Sequence, residues 1–177
     1  MKKILQLFCL ILLLSCNRKN EPITAAKPHN AYVDSLKKFE SAKYKGKVPE
    51  KYYTYPGIFD WWRYPLVYPY AIQCIESNDK GRLVNDLNVN YNAGGGKIIT
   101  ENQFDKFTFD KNYFIGQNVK AGNEKVEEYF IFKFSDASIN KVQGTKKLHK
   151  QLEKIKFEKE IKFISIKEYG KLIYSNR

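Results

Sequence analysis

The chain has no apolar run long enough to cross a bilayer. Its longest, residues 4–14, carries Gln6 within it and is about half of the roughly twenty residues a spanning helix needs. Histidine is scarce. His29 and His149 are the only two, and neither belongs to a pair with metal-ligand spacing, so no zinc site of the usual kind and no cofactor are expected. Cysteine is nearly as rare. Cys9 and Cys16 lie close to the start, which leaves Cys74 alone in the rest of the chain and excludes an intramolecular disulfide there. Without a histidine near it in sequence to activate it, Cys74 reads as a small core residue of an apolar strand rather than a nucleophile. A Gly-x-Ser-x-Gly elbow is missing. The run Gly94-Gly95-Gly96-Lys97 falls short of a phosphate loop. Tyr91 stands where the first glycine is needed, and Ile98 stands where a hydroxyl should meet magnesium. The run reads as a mobile hairpin loop.

Arginine is the next shortage. The formal charge is +12, yet only four of the 31 basic residues are arginine, the residue best suited to bidentate phosphate contacts. The lysines are spread along the chain rather than gathered in a block. This pattern reads as a solvated basic surface with some attraction to anionic headgroups, and no nucleic-acid partner is expected. Composition otherwise suits a folded protein. Hydrophobic residues make up 43% and aromatics 15%, so the chain is not disordered on composition.

What is present begins with the first sixteen residues. Met1-Lys2-Lys3 precede the apolar run 4–14, and Leu13-Leu14-Ser15-Cys16 follow it into a polar stretch. A charged start, a short apolar centre and a small residue before the break have the order of a secretory signal. The arrangement resembles the signal peptide and lipobox of bacterial lipoproteins. That resemblance implies removal of residues 1–15, lipidation of Cys16, and a protein held by acyl chains in the bacterial cell envelope. One acyl chain holds a protein only marginally, and two or three make release negligible. By the same analogy, the run Asn17-Arg18-Lys19-Asn20-Glu21 lacks the acidic stretch that some bacteria use for export to the cell surface, which implies a protein that faces the periplasm. Residues 16–29, with Pro22 and Pro28 and few large apolar side chains, read as the lipidated cysteine and a flexible tether. Residues 30–177 read as a single domain.

Within that domain Asn30 is placed to cap a helix over 31–44, with Tyr32, Leu36 and Phe39 on one face. Residues 52–70 read YYTYPGIFDWWRYPLVYPY, in which nine of nineteen residues are aromatic and three are proline. The prolines predict an extended, irregular segment. Most of its rings are expected to pack in the core. Asp60, Trp61, Trp62, Arg63 and Tyr64 form the candidate binding surface, with Asp60 and Arg63 as polar handles. Strands are predicted over 66–76, 82–89, 97–100, 112–119, 127–135 and 139–142, with 112–119 and 127–135 as an antiparallel pair, and 104–109 and 161–164 are further candidates. A helix is predicted from Gly144-Thr145 to about residue 156. A last helix is predicted after the Ser165/Glu168 capping box. The sum is an α+β fold, an antiparallel sheet of about five to seven strands with two or three short helices packed on it. Residues 129–152, a strand, turn, short strand, glycine and amphipathic helix, resemble a module of small uncharacterised bacterial envelope proteins such as the DUF3997-type lipoproteins. That resemblance implies a fold class and no activity.

No catalytic constellation emerges. Asp60, Glu76, Asp79 and Asp86 lie close in sequence and could supply a pair of carboxylates for glycoside hydrolysis, but carboxylates near turns are usually solvated. The sequence therefore favours a membrane-anchored, non-catalytic binding protein with a protein partner, for example an immunity lipoprotein that counters a toxin. The alternative is a module that binds or cleaves cell-wall glycan through residues 52–70.

Overall fold

A computed structural model describes residues 30–91, 95–119 and 127–174. The expected leader over 1–15, Cys16 and the tether over 16–29 lie outside the described residues, as do parts of the two loops expected around residues 91–96 and 121–123.

Helix α1 (Ala31–Lys37) starts where its cap requires. The Asn30 side-chain oxygen accepts hydrogen bonds from the backbone N–H groups of Tyr32 and Val33, two donors that the first turn leaves without helical partners. The helix is shorter than its apolar spacing predicts, and turns carry the chain on to Pro49. A short helix, α2 (Glu50–Thr54), follows and lies inside the stretch expected to be extended. Pro49 precedes its first turn, where a missing N–H costs nothing. The barrier set by Pro56 operates only after the helix has ended.

Among the described residues ten strands follow, in two antiparallel sheets of five. The first sheet takes β1 (Gly57–Ile58), β2 (Trp61–Pro65), β3 (Tyr70–Ile75), β4 (Arg82–Asn85) and β5 (Lys97–Ile98) in chain order. The second contains β6 (Phe104–Phe109), β7 (Tyr113–Asn118), β8 (Glu128–Lys133) and β9 (Ile139–Gln143), with β10 (Ile164–Ser165) on the far side of β6. Helix α3 (Thr145–Lys154) follows β9, and α4 (Ile166–Tyr174) ends the described chain. The fold is thus α+β and antiparallel, with its strands divided between two sheets. The expected pair is present as β7 and β8, in register from Tyr113 opposite Lys133 to Gln117 opposite Tyr129. The strand expected over 66–76 begins only at Tyr70, because a turn holds 66–69 and Tyr70 donates to the Val67 carbonyl at 2.9 Å.

One large core cluster draws on both sheets and on α1, α2 and α4. Alternation puts Trp62, Tyr64, Ile72, Cys74 and Leu83 of the first sheet toward it, and Phe104, Phe107, Phe114, Phe130 and Phe132 of the second. Tyr70 on β3 meets Phe132 on β8 edge-on, with ring centres 4.8 Å apart. The backbones meet as well. Gly81 and Phe104 exchange two hydrogen bonds of 2.9 Å, each N–H donating to the other's carbonyl. A smaller cluster on the opposite face of the second sheet seats Leu148 and Leu152 of α3 on Ile115, Tyr129, Ile131 and Val142.

Candidate functional site

The candidate surface straddles the first sheet because successive residues of a strand point to opposite sides. Trp62 and Tyr64 turn toward the core, while Trp61 and Arg63 turn the other way. Ile58 pairs with Trp61, and Trp61 pairs with Ile75, so these three form one row across β1, β2 and β3. Between Ile58 and Trp61 the chain reverses through only Phe59 and Asp60. Phe59 adopts φ 55°, a left-handed value at the first central position of a two-residue turn, where glycine is the usual occupant. Its ring is 94% exposed, beside Ile58 at 54% and Ile75 at 49%. Two further contacts fix the tip. The Glu76 N–H donates to the Asp60 carbonyl at 2.8 Å, and the Tyr55 ring stands 5.7 Å from that of Trp61. Gly57 is required at the base of the hairpin. It has φ 100°, and a Cβ there would lie 2.0 Å from the Trp61 carbonyl oxygen. The hairpin thus presents a half-buried tryptophan and three exposed apolar side chains, flanked by the exposed residues Asp60 and Glu76.

Arg63 and Tyr64 do not belong to this surface, and their expected exposure is corrected. Arg63 is 1% exposed and Asp86, its partner, 2%. Both Nε and Nη2 of the guanidinium contact Asp86 Oδ2. Nη1 donates to the Tyr52 carbonyl at 2.6 Å, and the guanidinium lies over the rings of Tyr52 and Tyr91. Burial raises the Asp86 carboxyl above its ordinary range, and the guanidinium opposes that shift. Tyr64 is buried beside Tyr169 and Tyr174. Asp86, one of the carboxylates considered for glycoside chemistry, is therefore held inside by an ion pair. Asp79 is occupied at an exposed turn with Ser77.

Gly96, at the end of the glycine run, packs directly on Asp86. A Cβ on Gly96 would stand 2.2 Å from Asp86 Oδ1 and 2.5 Å from the Asn85 carbonyl oxygen. Gly96 is therefore a close-approach residue against the sheet. Residues 52–70 are largely interior, as their composition predicts. Tyr52, Tyr53, Tyr64, Leu66, Val67, Tyr68 and Tyr70 are buried. Cys74 is a free, buried cysteine whose thiol is pushed up to about 12 by burial and, secondarily, by Asp79. Among the described residues no group of three His, Cys, Asp or Glu could hold a metal ion, and no helix is long and apolar enough to cross a membrane.

Nothing in the sequence alone marks Ile58, Phe59 and Ile75 as one exposed patch. The turn at Phe59-Asp60 lacks the glycine or asparagine that announces a two-residue hairpin. A run of aromatics also looks alike whether its rings face in or out.

Comparisons with protein-family models, with curated proteins and with solved structures gave no match.

Proposed function

We propose that this chain is a lipid-anchored lipoprotein of the bacterial cell envelope that acts without catalysis, by gripping a protein partner with the tip of its β1–β2 hairpin. The observation that carries the reading is Phe59, a large apolar side chain 94% exposed on a left-handed backbone. Such a conformation costs about 1–3 kcal/mol and persists where the surroundings enforce it, commonly at functional sites. Exposed apolar residues gathered on one feature mark interaction sites better than scattered ones do. Tryptophan and phenylalanine are also typical of the cores of protein interfaces. The acids at the tip set the partner's chemistry: an apolar cleft for Phe59, rimmed by lysine or arginine. The anchor rests on the order Leu13-Leu14-Ser15-Cys16, and such an anchor would hold the domain at one membrane, facing the periplasm.

The test uses the full chain in living cells with a photo-reactive residue in place of Ile75. Irradiation is expected to give one discrete protein adduct, lost when Phe59→Gly is added. An adduct indifferent to Phe59→Gly, or one formed with lipid, overturns the hairpin reading. Quenching of tryptophan emission by muropeptides, abolished in Trp61→Ala, would instead favour the glycan-binding alternative. The anchor is tested separately. Cys16→Ser is expected to leave the precursor uncleaved and free of radiolabelled palmitate.

A further inference from the structure

A second surface, which uses none of the hairpin residues, lies at the opposite end of the strand order. Strand β9 is the edge of the second sheet, paired only with β8 among the described residues. Its hydrogen-bonding phase follows from its ends. Lys133 N–H donates to the Ser138 carbonyl at 3.0 Å, and Gly144 N–H donates to the Glu127 carbonyl at 2.8 Å. In the intervening register, Asn140 opposes Ile131 and Val142 opposes Tyr129, so these are the pairs that exchange bonds with β8. Antiparallel ladders alternate. The backbone N–H and C=O groups of Ile139, Lys141 and Gln143 therefore point away from β8, toward the open side.

Clefts flank the strand on both faces. On the core-facing side lies a cavity of about 390 Å³ lined by Ile99, Asn118, Phe130, Ile139 and Lys141. On the other side, between β9 and α3, lies one of about 820 Å³ lined by Glu128, Lys141, Val142, Lys147, Lys150 and Lys154. The three helix lysines recur at i, i+3 and i+7, one face of α3, which sits above the strand edge. None of them, nor Lys141, forms an ion pair among the described residues. Among the described residues that line this cleft Glu128 is the one acid, and its carboxylate accepts a hydrogen bond from Asn118 Nδ2.

We infer that the β9 edge accepts an extended acidic segment of a partner protein as a sixth strand. An added strand would bond to the outward groups of Ile139, Lys141 and Gln143, and its side chains would alternate between the two clefts. Those on one side meet Ile99 and Ile139 beside Glu101, an acid that disfavours a carboxylate there. Those on the other meet Lys147, Lys150 and Lys154. The preferred occupant therefore alternates apolar and carboxylate side chains. Lysines on an edge also deter pairing, but the partner they deter is a basic strand. A second copy of this chain, with a formal charge of +12 and the same four lysines, is repelled. Deterrence alone also does not call for a cleft on each face.

The probe is a fluorescein-labelled heptapeptide, Glu-Val-Glu-Val-Glu-Val-Glu, titrated against the full chain in nonionic detergent and read by anisotropy. It is expected to bind at least tenfold more tightly than a peptide of the same composition with its four glutamates first, and to weaken as salt rises. Reversing three exposed charge partners with Lys147→Glu, Lys150→Glu and Lys154→Glu is expected to weaken it about tenfold or more. The same variant should improve binding of Lys-Val-Lys-Val-Lys-Val-Lys. Lys141→Pro removes one outward N–H at an edge position that tolerates proline, and should weaken both peptides on their matching proteins. Should that variant not fold, hydrogen exchange on the wild type decides: the acidic peptide must slow the amides of Ile139, Lys141 and Gln143. Equal binding of the two glutamate peptides, indifference to charge reversal, or unchanged exchange at those amides overturns the proposal. So does a dimer that Lys141→Pro dissolves, since the occupant would then be a second copy.

Discussion

Arg63 shows how a polar handle in a sequence becomes an internal tie. The guanidinium joins Asp86, the Tyr52 carbonyl and two tyrosine rings while almost wholly out of water. A buried ion pair adds little stability over apolar residues of equal size, but removing one partner strands the other. Arg63→Met is therefore expected to cost about 3–5 kcal/mol in urea unfolding, and Asp86→Leu a similar amount. The double variant should recover most of the loss. Two additive losses would show that the ion pair is not what couples the sites. Cys74 carries a second prediction. Its thiol ionises only near 12, against an ordinary value of 9.0, so it should resist alkylation at pH 8 until the protein unfolds. The sign of the pH dependence follows. Below the unfolded value both states keep the proton and stability does not change with pH on this account. Above it the unfolded thiol ionises while the folded one does not, so the folded state loses stability as pH rises from about 9 toward 12. Cys74→Ala should flatten that limb in alkaline melts.

At the scale of elements, the β1–β2 hairpin sets stability against binding. Replacing Phe59 by glycine removes the left-handed strain on a residue with a Cβ, and should raise unfolding free energy by about 1 kcal/mol. The same change should abolish the Phe59-dependent adduct described above. A loss of both stability and adduct would make Phe59 a packing residue instead. The capping box of α4 can be tested as simply. Glu168 N–H donates to Ser165 Oγ at 3.2 Å, and Ser165 N–H donates to the Glu168 carboxylate at 2.8 Å. Ser165→Ala should cost about 1 kcal/mol. This cap, the Asn30 cap and strands β6 to β9 were legible in the sequence because each is specified locally, by side-chain spacing or by alternation. The division of the strands into two sheets was not, because each sheet presents the same alternating pattern to a shared core. Asp86 could not be assigned to Arg63 for a related reason. They lie on different segments, and only the register of β2, β3 and β4 brings them together. Trp61 and Trp62 illustrate the limit on reading the site. Composition marks both as aromatic anchors, but the hairpin register alone decides that Trp61 lies in the outer row.

For the whole molecule the question is whether two sheets make one cooperative unit. Three features argue that they do. The Gly81–Phe104 bridge joins their backbones, and Tyr70 interlocks with Phe132 across the gap. Helix α4 touches both sheets through Tyr169, whose hydroxyl donates to the Pro65 carbonyl at 2.6 Å while its ring meets Phe107 at 5.1 Å. Both tryptophans lie on β2, so tryptophan emission reports on the first sheet, whereas amide exchange at Ile115 and Ile131 reports on the second. Phe104 is fully buried and meets Phe107, Phe114 and Phe130. Truncating it to alanine should cost about 3–5 kcal/mol. Because its backbone also bonds to Gly81, that loss should move the tryptophan transition and the exchange of the second sheet by equal amounts. A tryptophan midpoint that stays in place while Ile115 and Ile131 lose protection would mean that the sheets unfold separately. The hairpin and the β9 edge would then sit on independent units, and a partner gripping one could not stabilise the other. Equal shifts would mean that whatever binds either surface stabilises both.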